Sequence, residues 1–362
     1  MNDFFAQVNT FANGVNNVFN IIKDFIRYLL LLIGLPPWIA DIVMALVNLV
    51  GFLAFAIPVV MSLVYLERRI IAFIQDRLGP NRVGPEGVLQ SVADVVKLFS
   101  KEDIVPTNAD PWAYKLATFA VVIPALMIYT VIPFGPNMVI ADLNIAVLFF
   151  VAVGSVSVVG VLMAGWGSNN KFALLGAMRA AAQVISYEIP LVFAILGVVM
   201  VTGSLSTVQI VNFQSPWLGL KWNIILQPVG FVIFMIAAAA EVNRTPFDLM
   251  EAESEIVAGY HTEYSGIRFA LFFLAEYLES FGLAALAVTL FLGGWNGPIL
   301  PAWLWFVVKT YGVFFLFFWT RGTLPRVRVD QLMSFSWKVL LPLALANMVV
   351  TGIGITIYNA LV

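Results

Sequence analysis

The amino-acid sequence predicts an all-α polytopic membrane protein, and its composition, its long apolar runs and the placement of its basic residues support that class. Of its 362 residues, 61% are hydrophobic and only 11% are charged, and the mean hydropathy is +0.94. A water-soluble domain does not carry so much apolar surface. We therefore expect helices in a bilayer, where each helix satisfies its own backbone hydrogen bonds.

An amphipathic stretch precedes the first long apolar run. Its polar residues, among them Lys23, Asp24 and Arg27, recur at helical spacing, and apolar residues fill the other side. The two basic residues favour a helix lying in the membrane interface, with a ninth span as the alternative. Residues 1–37 are therefore interpreted as an N-terminal interfacial extension.

Residues 38–362 form a single predicted transmembrane domain, since no repeat, linker or low-complexity tract divides them. Eight apolar runs of about 19 to 29 residues are long enough to cross a hydrocarbon core of about 30 Å. They cover residues 38–66, 112–133, 143–165, 185–203, 222–240, 267–292, 302–320 and 337–359.

The loop after the first run contains an amphipathic segment of its own, at residues 87–99. Gln90, Asp94 and Lys97 share one face, and apolar side chains such as Val92 form the other. This pattern predicts an amphipathic helix on the cytoplasmic side of the membrane.

The loop charges predict the orientation, because cytoplasmic loops of membrane proteins are enriched in Lys and Arg. The odd-numbered loops and their flanking helix ends hold 15 of the 19 basic residues. The other side keeps Lys23, Arg27, Lys221 and Lys309. We expect a multi-pass protein of the bacterial cell (inner) membrane, with both termini outside and the odd-numbered loops in the cytoplasm.

The hydrophilic stretch between the fifth and sixth runs is acidic, with Arg244 as its fixed positive charge. Its carboxylates are Glu241, Asp248, Glu251, Glu253, Glu255 and Glu263. Closely spaced carboxylates repel one another, which suits groups that take up and release protons. A solvated acidic face remains the alternative on spacing alone.

Three carboxylates lie within or at the end of different apolar runs: Glu188, Glu241 and Glu276. Each would cost about 2.5–3.5 kcal/mol if it faced lipid alone and charged. A packed, neutral carboxyl explains any one of them, but three together favour a polar path through the membrane. Lys309, in the seventh run, is a possible partner.

The residue inventory excludes several kinds of redox centre from this chain. The chain has no cysteine and one histidine, His261. It therefore cannot hold a cysteine-ligated iron–sulfur cluster, a thiolate zinc site or a bis-histidine haem. We expect no metal or flavin and no catalytic residue in this chain, and no basic run suggests binding to nucleic acid.

Many short motifs, in consistent order from about residue 60 to the C-terminus, make the sequence similar to the H-subunit family of proton-pumping NADH–quinone oxidoreductase, respiratory complex I. They include Glu67-Arg-Arg, Arg77-x-Gly-Pro-Asn-Arg-x-Gly, Ser186-Tyr-Glu188, Glu241-x-x-Arg244-x-Pro-Phe-Asp248, Glu251-x-Glu253-x-Glu255, Ala275-Glu-Tyr277 and Arg321-x-x-x-Pro-Arg326-x-Arg328.

This resemblance implies the membrane heel subunit of that complex, which forms the wall and entrance of a chamber for ubiquinone or menaquinone. It implies two sets of residues. The quinone-chamber set is Glu67, Arg68, Asp94, Arg244 and Asp248. The proton-path set is Glu188, Glu241, Glu251, Glu253, Glu255, Glu263 and Glu276. Glu279 is not part of the recognised pattern.

The resemblance also implies partners: the hydrophilic quinone-site and iron–sulfur subunits, the neighbouring small membrane subunits, quinone and membrane lipid. A stand-alone secondary transporter or cation/proton antiporter, with Glu188, Glu276 and Lys309 as its ion site, is the alternative. Such transporters tend to show paired repeats with interrupted helices, and the sequence shows no such pair.

Overall fold

A computed structural model of the chain describes residues 25–32, 36–136, 138–215, 221–250, 256–298 and 300–361. Over these residues it is helical, without a strand. Seven helical segments in that part of the chain are long and apolar enough to cross a membrane. The prediction of an all-α polytopic membrane protein is confirmed.

The helices have these bounds: α1 Pro37–Ile74, α2 Gln90–Ser100, α3 Pro111–Met127, α4 Ala146–Gly154, α5 Val156–Gly167, α6 Lys171–Thr202, α7 Thr207–Phe213, α8 Asn223–Leu226, α9 Pro228–Glu241, α10 Gly266–Phe291, α11 Ala302–Thr323, α12 Val329–Phe335 and α13 Leu341–Leu361. A 3-10 turn, Ile128–Val131, extends α3, and a π-helical turn, Ser336–Leu340, joins α12 to α13. Ser155 connects α4 and α5, which together make one span.

The expected number of eight full spans is not confirmed, because the run at 222–240 is broken at Gln227. There α8 ends and α9 begins, and α9 has 14 residues, about 21 Å at 1.5 Å per residue. The Gln227 side chain donates to Thr351 Oγ1 at 2.6 Å and accepts from Asn347 Nδ2 at 2.8 Å. Two polar side chains of α13 thus satisfy the polar side chain at the break, as a bilayer requires.

The two predicted amphipathic segments are helical where the structure describes them. Residues 25–32 of the N-terminal extension are helical, and Arg27 Nη2 bonds Asp41 Oδ1 at 2.9 Å; residues 1–24 and 33–35 lie outside the described residues. The loop helix α2 begins at Gln90, after a 3-10 turn at Pro85–Gly87. Its apolar face is exposed on this chain.

Local sequence signals account for several helix ends. The Asp110 side chain caps α3 by accepting from the Trp112 amide at 3.0 Å, and Pro111 follows as the first helical residue. The Asn170 side chain caps α6 in the same way, at 2.8 Å from the Phe172 amide. These are ordinary N-terminal signals.

The bundle packs around α10, in which 72% of the residues in the most apolar stretch are buried. Two glycines permit close approach of neighbouring segments. A Cβ on Gly160 of α5 would lie 2.9 Å from the backbone of Ala120 in α3, and one on Gly176 of α6 would lie 2.7 Å from Gly259 Cα. Small residues at helix contacts are typical of membrane bundles. The second contact fixes the loop after α9 against α6.

Candidate functional site

A buried carboxylate near the end of α1 collects donors from three other segments. Glu67 is 5% exposed and accepts from the Tyr277 hydroxyl at 2.5 Å and from Arg244 Nη1 at 3.4 Å. Arg321 of α11 forms an ion pair with the same carboxylate. Glu67 therefore joins α1 to α10, to α11 and to the loop after α9.

Arg244 lies between two carboxylates. Its Nη2 is 3.1 Å from Glu276 Oε1, and its guanidinium lies over the Tyr277 ring, 4.3 Å from the centroid. Arg244 is 3% exposed, and a charge so buried requires partners. Burial acts to lower the pKa of Arg244, but the Glu276 carboxylate, with Tyr277 and Glu67, raises that pKa above its ordinary value. Arg244 therefore stays cationic.

One side chain of α6 holds the turn that carries Arg244. Gln183 Nε2 lies 2.7 Å from Ala240 O, 2.8 Å from Phe247 O and 3.0 Å from Asn243 Oδ1. The three acceptors flank Arg244 on both sides in sequence. Gln183 thereby positions the guanidinium between its carboxylates.

A cavity of about 530 Å³, called cavity A here, opens beside these residues. Its volume is in the range of small-molecule sites. Its wall combines charged and hydroxyl groups with apolar side chains. The lining residues are Val64, Glu67, Arg68, Ile71, Arg77, Leu78, Gly79, Pro80, Arg244, Phe273, Glu276, Tyr277 and Arg321.

A second, smaller cavity of about 50 Å³, called cavity B, lies on the other side of Glu276. Its polar lining includes Ser157 of α5, Glu241 of α9 and both Glu276 and Glu279 of α10. Glu276 contributes to the walls of both cavities. Among the described residues, Glu276 is the one that lines both cavity A and cavity B.

Glu188 continues the row of carboxylates beyond cavity B. The Ser155 hydroxyl donates to its side chain, and Glu188 is close enough to Glu241 for their charges to interact. Among the described residues, no three His, Asp or Glu side chains are grouped as a metal site would require. The row consists of Glu276, Glu279, Glu241 and Glu188, supplied by three helices.

Sequence comparisons place the chain among known proteins. A family model described as NADH dehydrogenase matches residues 47–352. The chain belongs to the NADH dehydrogenase family. The H subunit of NADH-quinone oxidoreductase from Dehalococcoides mccartyi (strain CBDB1) is 54% identical over 313 residues, which cover 86% of this chain and 87% of that relative.

Two further relatives of the same name agree over even more of their length. The Carboxydothermus hydrogenoformans protein is 51% identical over 327 residues, 89% of this chain and 92% of its own. The Brevibacillus brevis protein is 48% identical over 334 residues, 91% and 96% of the two chains. The resemblance to the H-subunit family is thus confirmed.

Arg68 and Asp94, predicted as chamber residues of this NADH dehydrogenase family member, form an ion pair of 2.6 Å between α1 and α2. Arg68 lines cavity A. Asp94 does not line the cavity but holds Arg68 through their ion pair. Burial acts to raise the pKa of Asp94, but the hydrogen bond and charge of Arg68 lower it below its ordinary value. Asp94 is therefore ionised at neutral pH and fixes the Arg68 head group.

Asp248 lies in the same loop as Arg244 but lines neither cavity. Its Oδ2 is 3.5 Å from Arg326 Nη2, and its buried Oδ1 has no hydrogen-bond partner among the described residues. Burial lowers the pKa of His261, and this effect outweighs the charges of Glu276 and Asp248, which act to raise that pKa. His261 is therefore neutral at neutral pH.

The remaining acidic-loop predictions divide into two groups. Glu263 accepts from Asn170 Nδ2 at 2.6 Å, at the start of α6, and lines neither cavity. Glu251, Glu253 and Glu255 lie outside the described residues. Their predicted part in a proton path stays a prediction.

On sequence alone Lys309 is a possible partner of the buried carboxylates, but the structure does not pair it with them. Its Nζ donates to the backbone oxygens of Leu292, Gly294 and Asn296, at 2.8, 3.1 and 2.6 Å. None of the ion pairs formed between described residues includes Lys309. The geometry therefore disfavours an antiporter site built from Lys309 with Glu188 and Glu276.

Sequence reasoning does not assign four residues of this arrangement: Gln183, Tyr277, Glu279 and Arg321. Tyr277 and Arg321 lie within recognised motifs, but the motifs attach no role to them. Glu279 follows Glu276 by three residues, which places both on one side of a helix. Gln183 carries no signal beyond being an amide near an apolar run.

Proposed function

We propose that this chain is the membrane heel subunit of a bacterial NADH–quinone oxidoreductase, forming the wall and entrance of its quinone chamber and the start of its proton path. Family membership and the names of the relatives support a subunit of that enzyme complex. The chain works in the membrane with hydrophilic quinone-site and iron–sulfur subunits and small membrane subunits. Those partners supply the electrons.

Cavity A has the chemistry that a ubiquinone or menaquinone requires. A quinone combines a polar head, whose carbonyl oxygens accept hydrogen bonds, with an apolar tail. Arg68 and Arg321 offer donors on the cavity wall, while Ile71 and Phe273 offer apolar contact. Volume, donors and apolar lining together support quinone as the occupant of cavity A.

The proton path rests on one observation, the position of Glu276 between the two cavities. Reducing a quinone to a quinol takes up protons as well as electrons. A proton on Glu276 weakens the Arg244–Glu276 ion pair and leaves Arg244 held by Glu67. Quinone chemistry in cavity A and the protonation of carboxylates around cavity B are coupled through this switch of partners.

Glu241 and Glu188 extend the path away from Glu276. They lie on α9 and α6, within reach of each other's charge. Proton transfer along a row of carboxylates needs only short steps between oxygens, directly or through water. The acidic-loop residues Glu251, Glu253, Glu255 and Glu263 remain part of the proposal through the family resemblance alone.

A photoreactive azido-quinone, applied to the intact complex, tests the chamber. We expect cross-links to peptides that contain Ile71, Leu78 or Phe273, and their loss when excess natural quinone competes. Val349 and Val350, exposed on α13, serve as the internal control for labelling from the bilayer. Equal labelling of the control peptide, or labelling insensitive to competitor, would reject cavity A as a quinone site.

Affinity purification separates the proposed subunit from the transporter alternative. A tagged chain is expected to bring down iron–sulfur subunits and quinone reductase activity in one large assembly. A chain that purifies alone and transports cations in vesicles would reject the proposal.

A further inference from the structure

A second carboxyl of α10 faces cavity B, one turn beyond Glu276. Glu279 lines the cavity together with Glu241 and Ser157. Ser157 shares this cavity wall with Glu279, and the charge of Glu279 interacts with both Glu241 and Glu276. Glu279 therefore lies close to both of the carboxylates that the proposed proton path has to connect.

Two carboxylate oxygens in cavity B are buried without a partner. Glu279 Oε1 and Glu241 Oε2 have no hydrogen-bond partner among the described residues, and neither atom is exposed. Buried polar atoms in native proteins are satisfied by protein or by water. The cavity volume of about 50 Å³ exceeds the roughly 10–15 Å³ that one water needs, so water can bridge these two oxygens.

We propose that Glu279 is a proton-carrying residue that connects Glu276 to Glu241 through water in cavity B. The inference rests on the proposed proton path. In each transfer, protonated Glu279 gives its proton to a water, which passes a proton to the Glu241 carboxylate. Glu276 then returns a proton to the Glu279 carboxylate, so that no bond other than O–H changes and charge is conserved.

The competing role is purely structural, with Glu279 serving as a packed polar side chain beside Ser157. The two roles differ in what glutamine does. Glutamine keeps the size and the hydrogen-bonding oxygen but cannot release a proton. A structural Glu279 therefore tolerates glutamine, and a proton carrier does not.

The test compares intact complexes in proteoliposomes, with proton translocation and quinone reduction measured together. We expect Glu279→Gln to assemble normally but to lower proton translocation at least about fivefold, and Glu279→Asp to retain more than half of the wild-type rate. Glu102→Gln is the matched control, because it makes the same substitution at an exposed carboxylate that lines neither cavity. It should pump like the wild type.

A second variant moves the carboxyl across the cavity. Ser157→Asp combined with Glu279→Gln returns an ionisable group to cavity B from α5 and should restore at least half of the lost pumping. If Glu279→Gln alone fails to assemble, the double variant is the test. Proton pumping by the double variant supports the proposal. A double variant that assembles but does not pump overturns it.

The outcomes separate this inference from the proposed function on which it rests. Wild-type pumping by Glu279→Gln, with Glu276→Gln inactive, overturns the role of Glu279 and leaves the proton path standing. Wild-type pumping by both variants overturns both. Equal loss in Glu279→Gln and Glu279→Asp would follow the shape of the side chain and not its ionisable group, and overturns the inference.

Discussion

Arg244 and Glu276 form a buried ion pair across 3.1 Å, between the loop that follows α9 and the helix α10. Arg244 also reaches Glu67 of α1 at 3.4 Å. One guanidinium thus stands between two carboxylates, only one of which, Glu276, borders both cavities. A proton on Glu276 therefore changes the charge that Arg244 meets at the wall of cavity A without a large movement.

Arg244→Met should destabilise the complex, because it removes the buried guanidinium that lies against the Glu276 carboxylate. Removing one partner of a buried pair costs about 3–5 kcal/mol, so thermal unfolding of the purified complex should begin at a clearly lower temperature. Arg244→Met with Glu276→Gln should recover part of that loss. Arg328→Met, at a largely exposed ion pair, is the control; an equal effect there would contradict the assigned role of Arg244.

Arg68→Ala should raise the apparent KM for quinone about tenfold, the change that about 1.4 kcal/mol produces, because it removes a donor from cavity A. Electron transfer to a soluble artificial acceptor should continue unchanged. Arg69→Ala, at the next residue in the sequence, is the control. Arg69 Nη2 lies 2.8 Å from Glu86 Oε2, and Arg69 does not line cavity A. Parallel loss of both activities in Arg68→Ala would instead mark Arg68 as a charge that merely ends the helix.

Gln183→Leu should misplace Arg244 without touching either carboxylate. It removes an amide group whose two N–H groups face three acceptors of the turn at 240–247, and one such hydrogen bond contributes about 0.5–1.5 kcal/mol. We expect lower quinone reductase turnover and lower thermal stability. Gln209→Leu, at an exposed amide of α7, should leave both as they are, and unchanged turnover in Gln183→Leu would show that the turn holds without it.

The orientation drawn from the basic residues is tested by cysteine labelling, which the absence of native cysteine makes clean. Asn81→Cys should react with a membrane-impermeant maleimide only from the cytoplasmic side. Asn212→Cys, in α7 on the connection that follows α6, should react only from outside. Asn81 and Asn212 are both exposed. Labelling of Asn81→Cys from outside would reverse the topology and place cavity A on the wrong side for its hydrophilic partners.

Sequence predicts a span well where its apolar run contains no break in the helix. The run at 267–292 corresponds to Gly266–Phe291, within one residue at each end. The full span predicted at 222–240 is not confirmed, because averaged hydropathy conceals Gln227, whose bonds to Thr351 and Asn347 come from residues more than a hundred positions away. Pro228, the next residue, is the local signal of a new helix start.

The carboxylates of the site are predictable because an ionisable residue in an apolar run is costly and therefore noticeable. Their partners are not. Glu67 and Arg321 are 254 residues apart, and no periodicity links them. Tyr277 looks like one more aromatic residue in a chain that is 14% aromatic, and only the fold shows that its hydroxyl bonds Glu67.

The most direct test of the account is Glu276→Gln, with quinone reduction and proton translocation measured on the same vesicles. Glutamine keeps the size of the side chain and leaves Arg244 paired with Glu67, so the complex should assemble. We predict that both activities fall at least about tenfold, as expected when a proton-transfer group is removed, and that Glu276→Asp retains part of each. Wild-type turnover with wild-type proton yield in Glu276→Gln would contradict the account and reduce Glu276 to a packed, neutral carboxyl.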